Sequence, residues 1–511
     1  MIDARRATLF GEQSPFRLGA DEQSMREKVQ AGLVEDLEHL GILDSLRIAG
    51  ESNQNFLAEK ESLYISALNL SQERWRFGLR SEIDAGASLS GTGDDSVTAR
   101  ADGGISFSRI LGSGANVVMG IGSSLLRFVS TGDGWDAVSD LSLSVTQPLL
   151  RGAGRKITLE SLTQSERSLV YQVRDYERFR REFASTVARR VYGVLQAIDQ
   201  LENEERNLEN LMTLRKRNER LAEAGQLSDI EADQARQNEL RSVSRIVELR
   251  GDLDRQVDEF KLFLGLPIDL VISLDHSEFD RLSDESPLLD ALTEESAVRI
   301  ALENRLDVRT SSDRVEDSQR ALEIAADNLR PGLGLSVQAN SSSADGRPLN
   351  YSKSDLGWSL GLSLDPAWDN LPERNTFRRA EISYGATLRG HERFIDQVEL
   401  EVREALRRAI NAKERYRIQK GALELANRRV RSADLSLQAG RASTRDLLEA
   451  RDSLLAATNE VTSSLIDFTL AQIELQLALE ILRVDETGMH VDSDLLATSL
   501  SPESNEAIQT R

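Results

Sequence analysis

The sequence repeats one pattern of segments twice, at a separation of more than two hundred residues. In each copy, a segment of alternating apolar residues leads into a proline, a long stretch without proline follows, and a glycine interrupts that stretch. Arg47, Pro148 and Gly225 of the first copy correspond to Arg299, Pro366 and Gly440 of the second. Repeats of roughly 20–50 residues indicate a solenoid, whereas a repeat this long indicates a duplicated half. We predict that each half gives two β-strands and a long α-helical hairpin.

The spacing between the two copies predicts the domain organisation. The first copy is longer between its strand segments, which indicates an inserted hairpin or long loop at about 92–134 and leaves open whether it adds strands to the sheet. The predicted segments are an N-terminal extension over 1–40, a first repeat over 41–265, a connecting segment over 266–295, a second repeat over 296–484 with its strand pair at 333–364, and a polar, disordered tail over 485–511.

Two long stretches of the chain predict long helices. No proline occurs in 149–266 or in 373–501, and apolar residues recur there at helical spacing. A helix from about Arg155 to Ala222 would be ~100 Å long at about 1.5 Å per residue. Such a helix cannot bury itself in a compact domain, so we expect it to lie against other helices in a coiled coil or a wall of helices.

A glycine interrupts each helical stretch and predicts a tight helical turn. Gly225 and Gly440 stand where a left-handed residue would end a helix. Ser228 and Ser443 follow, each with an acidic residue three positions later, which is the capping-box pattern for a helix start. Each half therefore contains a helical hairpin, with tips near residues 225 and 440.

Period-two alternation predicts strands. It occurs at 77–89, 141–145, 333–339 and 358–364, with weaker candidates at 104–109 and 117–126. One-sided alternation fits either a sheet on a core or a membrane barrel with lipid outside and water inside. The four tryptophans border these strands and favour the barrel, as aromatic residues at the membrane interface: Trp75, Trp135, Trp358 and Trp368.

Closure of such a barrel predicts an oligomer. Four strands leave open edges in lipid, and single-chain barrels have at least about eight strands. Protomers would therefore share one barrel, and three copies would supply twelve strands. The predicted fold class is mainly α with a membrane β-barrel that is homotrimeric and 12-stranded.

Composition argues against several classes of function. The net charge is −22 with no basic run, which argues against a nucleic-acid partner. The absence of cysteine excludes disulfides, a thiol nucleophile and a lipid-attached cysteine. The four histidines lie far apart, and the many acidic residues lack metal-ligand spacing, so we expect no metal, no cofactor and no enzyme. No segment resembles a membrane-spanning helix, and the start at Met1 lacks the apolar core of a signal peptide.

Several short segments, in order and twice over, resemble those of TolC-type outer-membrane efflux proteins over roughly Arg47 to Leu482. The matching segments are Leu143–Gly152 at the strand exit, Ala224-Gly225 with Ser228 and Asp233–Ala235 at the first tip, Phe263–Pro267 after it, Ala301–Asn304 and Asn328–Pro331 at the start of the second copy, and Ala439-Gly440 with Asp446–Ala450 at the second tip.

The resemblance implies a homotrimer with a β-barrel in the lipid of the cell outer membrane and an α-helical tunnel in the periplasm. It implies an exit duct for efflux or type I secretion, working with a periplasmic adaptor protein and an inner-membrane transporter of RND or ABC type. The helical tips are then candidates for adaptor docking, through Gly225, Ser228, Gly440, Arg441 and Ser443.

The resemblance also implies that Asp446 and Glu449 line a constriction at the inner end of the duct. They lie one helical turn apart and therefore on one face. The alternative is structural, with Asp446 as the acid of the capping box and Glu449 in solvent. Two other functions stay open: a long coiled-coil structural protein of the periplasm or surface, which would not need strand pairs, and a periplasmic adaptor, which carries a single hairpin.

Overall fold

The computed structural model describes residues 39–92, 96–128, 136–280, 282, 286–343, 347, 349–485 and 488–491. The predicted extension 1–40 lies outside this part of the chain except for its last two residues, and Trp135 lies outside it too. The chain divides into two compact units. The first comprises Met1–Lys60, Tyr176–Leu306 and Ile395–Arg511, and the second comprises Glu61–Asp175 and Asp307–Phe394.

Helices dominate the described part of the chain. They are α1 Ile42–Ser52, α2 Gln54–Phe77, α3 Arg155–Thr158, α4 Glu160–Glu223, α5 Asp229–Leu264, α6 Ser277–Asp280, α7 Pro287–Ala291, α8 Glu294–Asn304, α9 Leu306–Asp327, α10 Leu371–Gln438 and α11 Thr444–Ala478. The long helices predicted from the proline-free stretches are present, since α4 has 64 residues and α10 has 68.

The second unit contains one antiparallel sheet. Its strands are β1 Arg80–Thr92, β2 Ser96–Ile110, β3 Asn116–Phe128, β4 Asp136–Pro148, β5 Gly332–Ser342 and β6 Leu356–Asp365. Their order in the sheet is their order in the sequence, β1-β2-β3-β4-β5-β6, and each neighbouring pair is antiparallel.

The sheet corrects the prediction of two strands in each half. The first half supplies four strands, because the inserted region forms the hairpin β2–β3 between β1 and β4. The predicted twelve-stranded count assumed four strands in each copy, whereas the described part of this chain has six strands in the sheet. The signal was weak because Gly103 of β2 and Ser123 of β3, which pair with each other, replace apolar residues on the alternating face.

Ion pairs join two helices of the second unit beside this sheet. Arg167 on α4 pairs with Asp313 on α9 at 3.3 Å and with Asp317 at 2.5 Å. The hydroxyl of Tyr171 donates to Asp317 at 2.7 Å, and Arg320 pairs with the same carboxylate at 2.8 Å. Gln164 also donates to Asp317, at 3.3 Å, so one carboxylate of α9 accepts from four side chains and holds α9 to the start of α4.

The core of the first unit lies where α4 packs against α5 and α1. The buried apolar side chains include Val187, Val191 and Leu195 of α4, Phe260 and Leu264 of α5, and Ile48 of α1. The ring of Phe56 on α2 contacts that of Phe183 on α4, with centroids 5.0 Å apart.

A close approach of two chain segments ends α5 in this core. Gly265 has φ +78°, and a Cβ at this position would lie 2.5 Å from the backbone oxygen of Ser52. The hydroxyl of Ser52 in turn donates to the carbonyl of Leu264 at 2.7 Å. Only glycine fits both the left-handed conformation and the contact.

A short hairpin lies within the first unit and differs from the expected disordered tail. β7 Leu482–Asp485 pairs with β8 Gly488–Val491, so part of the segment 485–511 is a strand. Residues 492–511 lie outside the described part of the chain.

Candidate functional site

The sheet has one continuous apolar face. The register brings Ile83, Ile105, Ile121 and Leu141 into one row across β1 to β4. On β6, Trp358, Leu360 and Leu362 lie on the same face, paired with Ala339, Val337 and Leu335 of β5. These side chains are open to the surroundings in the single chain, with Ile83 and Trp358 each 77% exposed. An exposed apolar face of this extent is unusual for a soluble monomer and indicates a surface that contacts a membrane or another protein.

The opposite face of the same sheet is polar. Its side chains include Glu82, Asp84, Arg100, Asp102, Ser106, Ser124, Asp140, Ser142, Gln338 and Asn340. Glycines lie among them, and the carboxylate of Asp84 lies over Gly104, where a Cβ would be 3.0 Å from Oδ1. A strand that is apolar on one side and polar on the other along its whole length is the pattern of a membrane barrel.

Both edges of the sheet are open within the described residues. β1 pairs only with β2 and β6 only with β5. Each edge therefore presents a row of backbone N–H and C=O groups without ladder partners, which in lipid would cost several kcal/mol per group, to order of magnitude.

Three of the predicted interface tryptophans can be placed. Trp75 is exposed near the end of α2, and the guanidinium of Arg80 lies 5.6 Å from its ring centroid. Trp358 lies on the apolar face of β6, and Trp368 is exposed shortly after that strand. Their position at a membrane interface stays a prediction.

The first helical tip has the predicted local structure. Gly225 has φ +69°, and its N–H and that of Gln226 donate back to Ala222 and Leu221, at 2.9 and 2.8 Å. This is the two-bond glycine cap of a helix end. Ser228 then caps α5 by accepting the N–H of Glu231 at 3.3 Å.

The second tip repeats this arrangement and completes the capping box. Gly440 has φ +68°, and the N–H of Arg441 donates to Ser436 at 2.8 Å. The hydroxyl of Ser443 accepts the N–H of Asp446, and the Asp446 carboxylate accepts the N–H of Ser443 at 2.9 Å. Arg441 is exposed and lines a shallow depression of about 310 Å³ with Arg428 and Arg431.

The two tips contact each other through a buried polar pair. Asn218 of α4 donates its amide to the hydroxyl of Thr444 on α11 at 3.0 Å, and these residues are 1% and 0% exposed. An apolar cluster joins the same two helices, formed by Leu211 and Leu214 of α4 with Leu447 and Leu448 of α11. The sequence analysis missed this pair, and its only signal was a polar residue on an otherwise apolar helix face.

The two predicted constriction residues are both exposed and both bonded within the chain. The backbone N–H and then the hydroxyl of Ser443 lower the pKa of Asp446 below its ordinary value, with Arg445 and Arg429 adding to the effect. Glu449 pairs with Arg429 of α10 at 2.8 Å. These contacts fit the structural alternative for Asp446, and they leave both carboxylates accessible from outside the chain.

Two further features bear on the site. Among the described residues, no three acidic, histidine or cysteine side chains lie together as metal ligands would. None of the described helices combines the length and the apolar character needed to cross a membrane.

The fold is that of outer-membrane channels. The outer-membrane channel CmeC of Campylobacter jejuni superposes with a TM-score of 0.60 at 14% identity, over 96% of this chain and 94% of that chain. The outer-membrane protein VceC of Vibrio cholerae gives 0.62 at 14% identity, over 86% and 95%. The open state of the MtrE outer-membrane channel of Neisseria gonorrhoeae gives 0.58 at 13% identity, over 86% and 88%.

The chain therefore has the fold of TolC-like outer-membrane channels, which confirms the resemblance found in the sequence. The proteins it resembles are channels rather than enzymes. No protein-family model matches the sequence. No curated protein matches it either.

Proposed function

We propose that this chain is an outer-membrane exit duct for efflux or type I secretion. It acts as a homotrimer, in which the sheets of three copies form one barrel in the outer membrane and the helical hairpins form a tunnel in the periplasm. A periplasmic adaptor protein and an inner-membrane transporter of RND or ABC type supply the cargo and the energy.

The observation that carries the proposal is the two-faced sheet. Its apolar face is exposed on all six strands, its other face is polar, and in the described part of the chain both of its edges are open. A sheet in lipid satisfies its edges only by closing into a barrel, and one chain with six strands does not close here. Lipid on the apolar face, water on the polar face and further copies at the edges account for all three features.

The competing functions explain less of the chain. A structural coiled-coil protein does not require a sheet with one apolar and one polar face. A periplasmic adaptor carries one helical hairpin, whereas this chain has two, α4–α5 and α10–α11.

The helical tips are the proposed docking surface for the adaptor, through Gly225, Ser228, Gly440, Arg441 and Ser443. A Cβ at Gly225 or Gly440 would meet no atom within 4 Å, so a side chain there protrudes without disturbing a neighbour. The strain of a left-handed residue costs about 1–2 kcal/mol. Gly225→Val and Gly440→Val should therefore leave trimer levels near wild type and reduce export, as an assay of exported cargo in intact cells can measure. Wild-type export by both variants would contradict the docking role.

The constriction is proposed at Asp446 and Glu449, which three copies would arrange as two stacked rings of carboxylates. Such rings favour cations and attract multivalent ones. The exposure of both side chains in the single chain is what this role requires.

The proposed function is tested by expression in a Gram-negative host. We expect the protein in the outer-membrane fraction, soluble only in detergent, with a cross-linked ladder that ends at three chains and with ion conductance in planar bilayers. A stable, water-soluble monomer without conductance would contradict the proposal.

A further inference from the structure

The sheet carries information on how one copy meets the next. Because six strands alternate in direction, β1 and β6 run in opposite directions. If β6 of one copy lies beside β1 of the next, the new pair is antiparallel like every pair within the sheet. A head-to-tail contact of this kind closes into a ring when its rotation permits.

The strand ends show a regular stagger. The row of paired residues that starts at Arg80 passes through Ser108, Val118, Ser144 and Gln338 and reaches Ser359. On this side of the sheet, β2 ends at Ile110, β4 at Pro148 and β6 at Asp365, which lie two, four and six residues beyond that row. The strand ends therefore shift by about one residue per strand relative to the row of paired residues. Closed barrels require a stagger of this kind.

Continuing the stagger to the next copy fixes one register. Arg80 of the next copy comes to lie beside Asp365, and the ten residues of β6 all find partners in β1. The paired positions on the apolar face are Ile83 with Leu362, Ala85 with Leu360, Ala87 with Trp358 and Leu89 with Leu356. This register keeps apolar side chains on one face, which a shift by one residue would reverse. It also places Trp358 opposite the small Ala87, and it brings Arg80 beside Asp365, which already pairs with Arg151 of its own chain at 2.7 Å.

We propose that β6 of one copy pairs with β1 of the next in this register, so that three copies close an eighteen-stranded barrel. This inference rests on the proposed trimeric duct. The β2–β3 hairpins of the three copies then together form a third of the barrel wall.

The consequence is a wide outlet. A stagger of one residue per strand, about 3.3 Å, against a strand spacing of about 4.7 Å gives a tilt of about 35°. At that tilt an eighteen-stranded barrel is about 33 Å across between backbones, against about 22 Å for twelve strands. The inserted hairpin places Gly104, Ser106 and Gly120 on the polar face beside the longer side chains of Arg100 and Asp102, so its side chains fill only part of the added width. At the same tilt, the eighteen-stranded barrel would therefore admit larger cargo than a twelve-stranded one.

The register is tested by disulfide formation, for which the cysteine-free chain is a clean background. Ala85→Cys with Leu360→Cys should give covalently linked trimers on oxidation, because the two positions face each other across the new pair. Ile83→Cys with Leu356→Cys is the matched control, since these positions share a row within one sheet and would pair only in a barrel without stagger. Cross-linking of the control pair and not of the first pair would overturn the register.

The width is tested by access to a cysteine on the polar face. Ser142→Cys should react from outside the cell with maleimides carrying polyethylene glycol of graded size. A variant that also lacks Ser96–Phe128 has four strands per copy. It should exclude maleimide reagents of sizes that the full chain admits, with a limiting diameter about two thirds as large. Equal limits in the two proteins would overturn the eighteen-stranded barrel and show that the hairpin leaves the wall. Absence of any trimer would instead contradict the proposed function, so the two failures are distinguishable.

Discussion

An arginine on the apolar face of the sheet should prevent assembly of the barrel. Leu143 lies near the middle of β4, paired with Met119 of β3 and Ala339 of β5 on that face. An arginine near the middle of the membrane on the lipid side of a barrel costs about 2–4 kcal/mol. Three copies of Leu143→Arg would cost about 6–12 kcal/mol per trimer, which is comparable with the whole stability of a domain of about 5–15 kcal/mol.

The neighbouring residue provides the matched control. Ser142 points to the polar face beside Gly120, where an arginine can reach water. We expect Ser142→Arg to assemble at wild-type levels and Leu143→Arg to yield little trimer in the outer membrane. The assay is trimer yield from outer membranes, measured by gel electrophoresis with and without heating. If Leu143→Arg yields normal amounts of trimer and Ser142→Arg yields little, our assignment of the two faces is refuted.

The remaining predictions concern the glycine turns and the carboxylates at the second tip. Gly265→Ala should lower the melting temperature of the trimer much more than Gly225→Ala. Both substitutions strain a left-handed residue, but only the first places a Cβ against a backbone oxygen. Equal shifts of the melting temperature would contradict this prediction. Asp446→Ala with Glu449→Ala should weaken cation selectivity and block by trivalent cations in single-channel recordings, whereas Ser443→Ala should lower the melting temperature and leave the currents unchanged. The pKa of Asp446 is lower in the folded chain, so its charge and the stability that it contributes are present above the unfolded pKa and are lost only as the pH falls through the folded pKa. Cation selectivity should therefore persist from pH 7 to pH 5. Loss of selectivity in that range would rule out Asp446 as its source.

Local signals account for what the sequence could predict. The turns at Gly225 and Gly440 depend on a left-handed glycine and on a serine cap three residues later, and both are properties of a few adjacent residues. The strands β4 and β6 were also visible, since each alternates apolar and polar residues without interruption over most of its length.

What could not be predicted depends on contacts between distant segments. The strands β2 and β3 contain paired or alternating glycines, so their place in the sheet is decided by the neighbours on both sides rather than by their own pattern. The contact between Asn218 and Thr444 joins residues 226 positions apart, and no local pattern indicates it. The ion pair of Arg429 with Glu449 likewise became visible only when α10 and α11 were placed side by side.

The buried contact between Asn218 and Thr444 limits how the inner end of such a duct can open. Parting α4 from α11 within one chain would leave the buried hydroxyl of Thr444 without its Asn218 partner, at about 1–3 kcal/mol for each chain, while the Asn218 amide keeps its bond to the carbonyl of Glu231 at 3.5 Å. A motion that keeps the two tips together and slides one chain past the next breaks no such bond. In the proposed trimer, the two tips of each chain would then move together as one rigid unit.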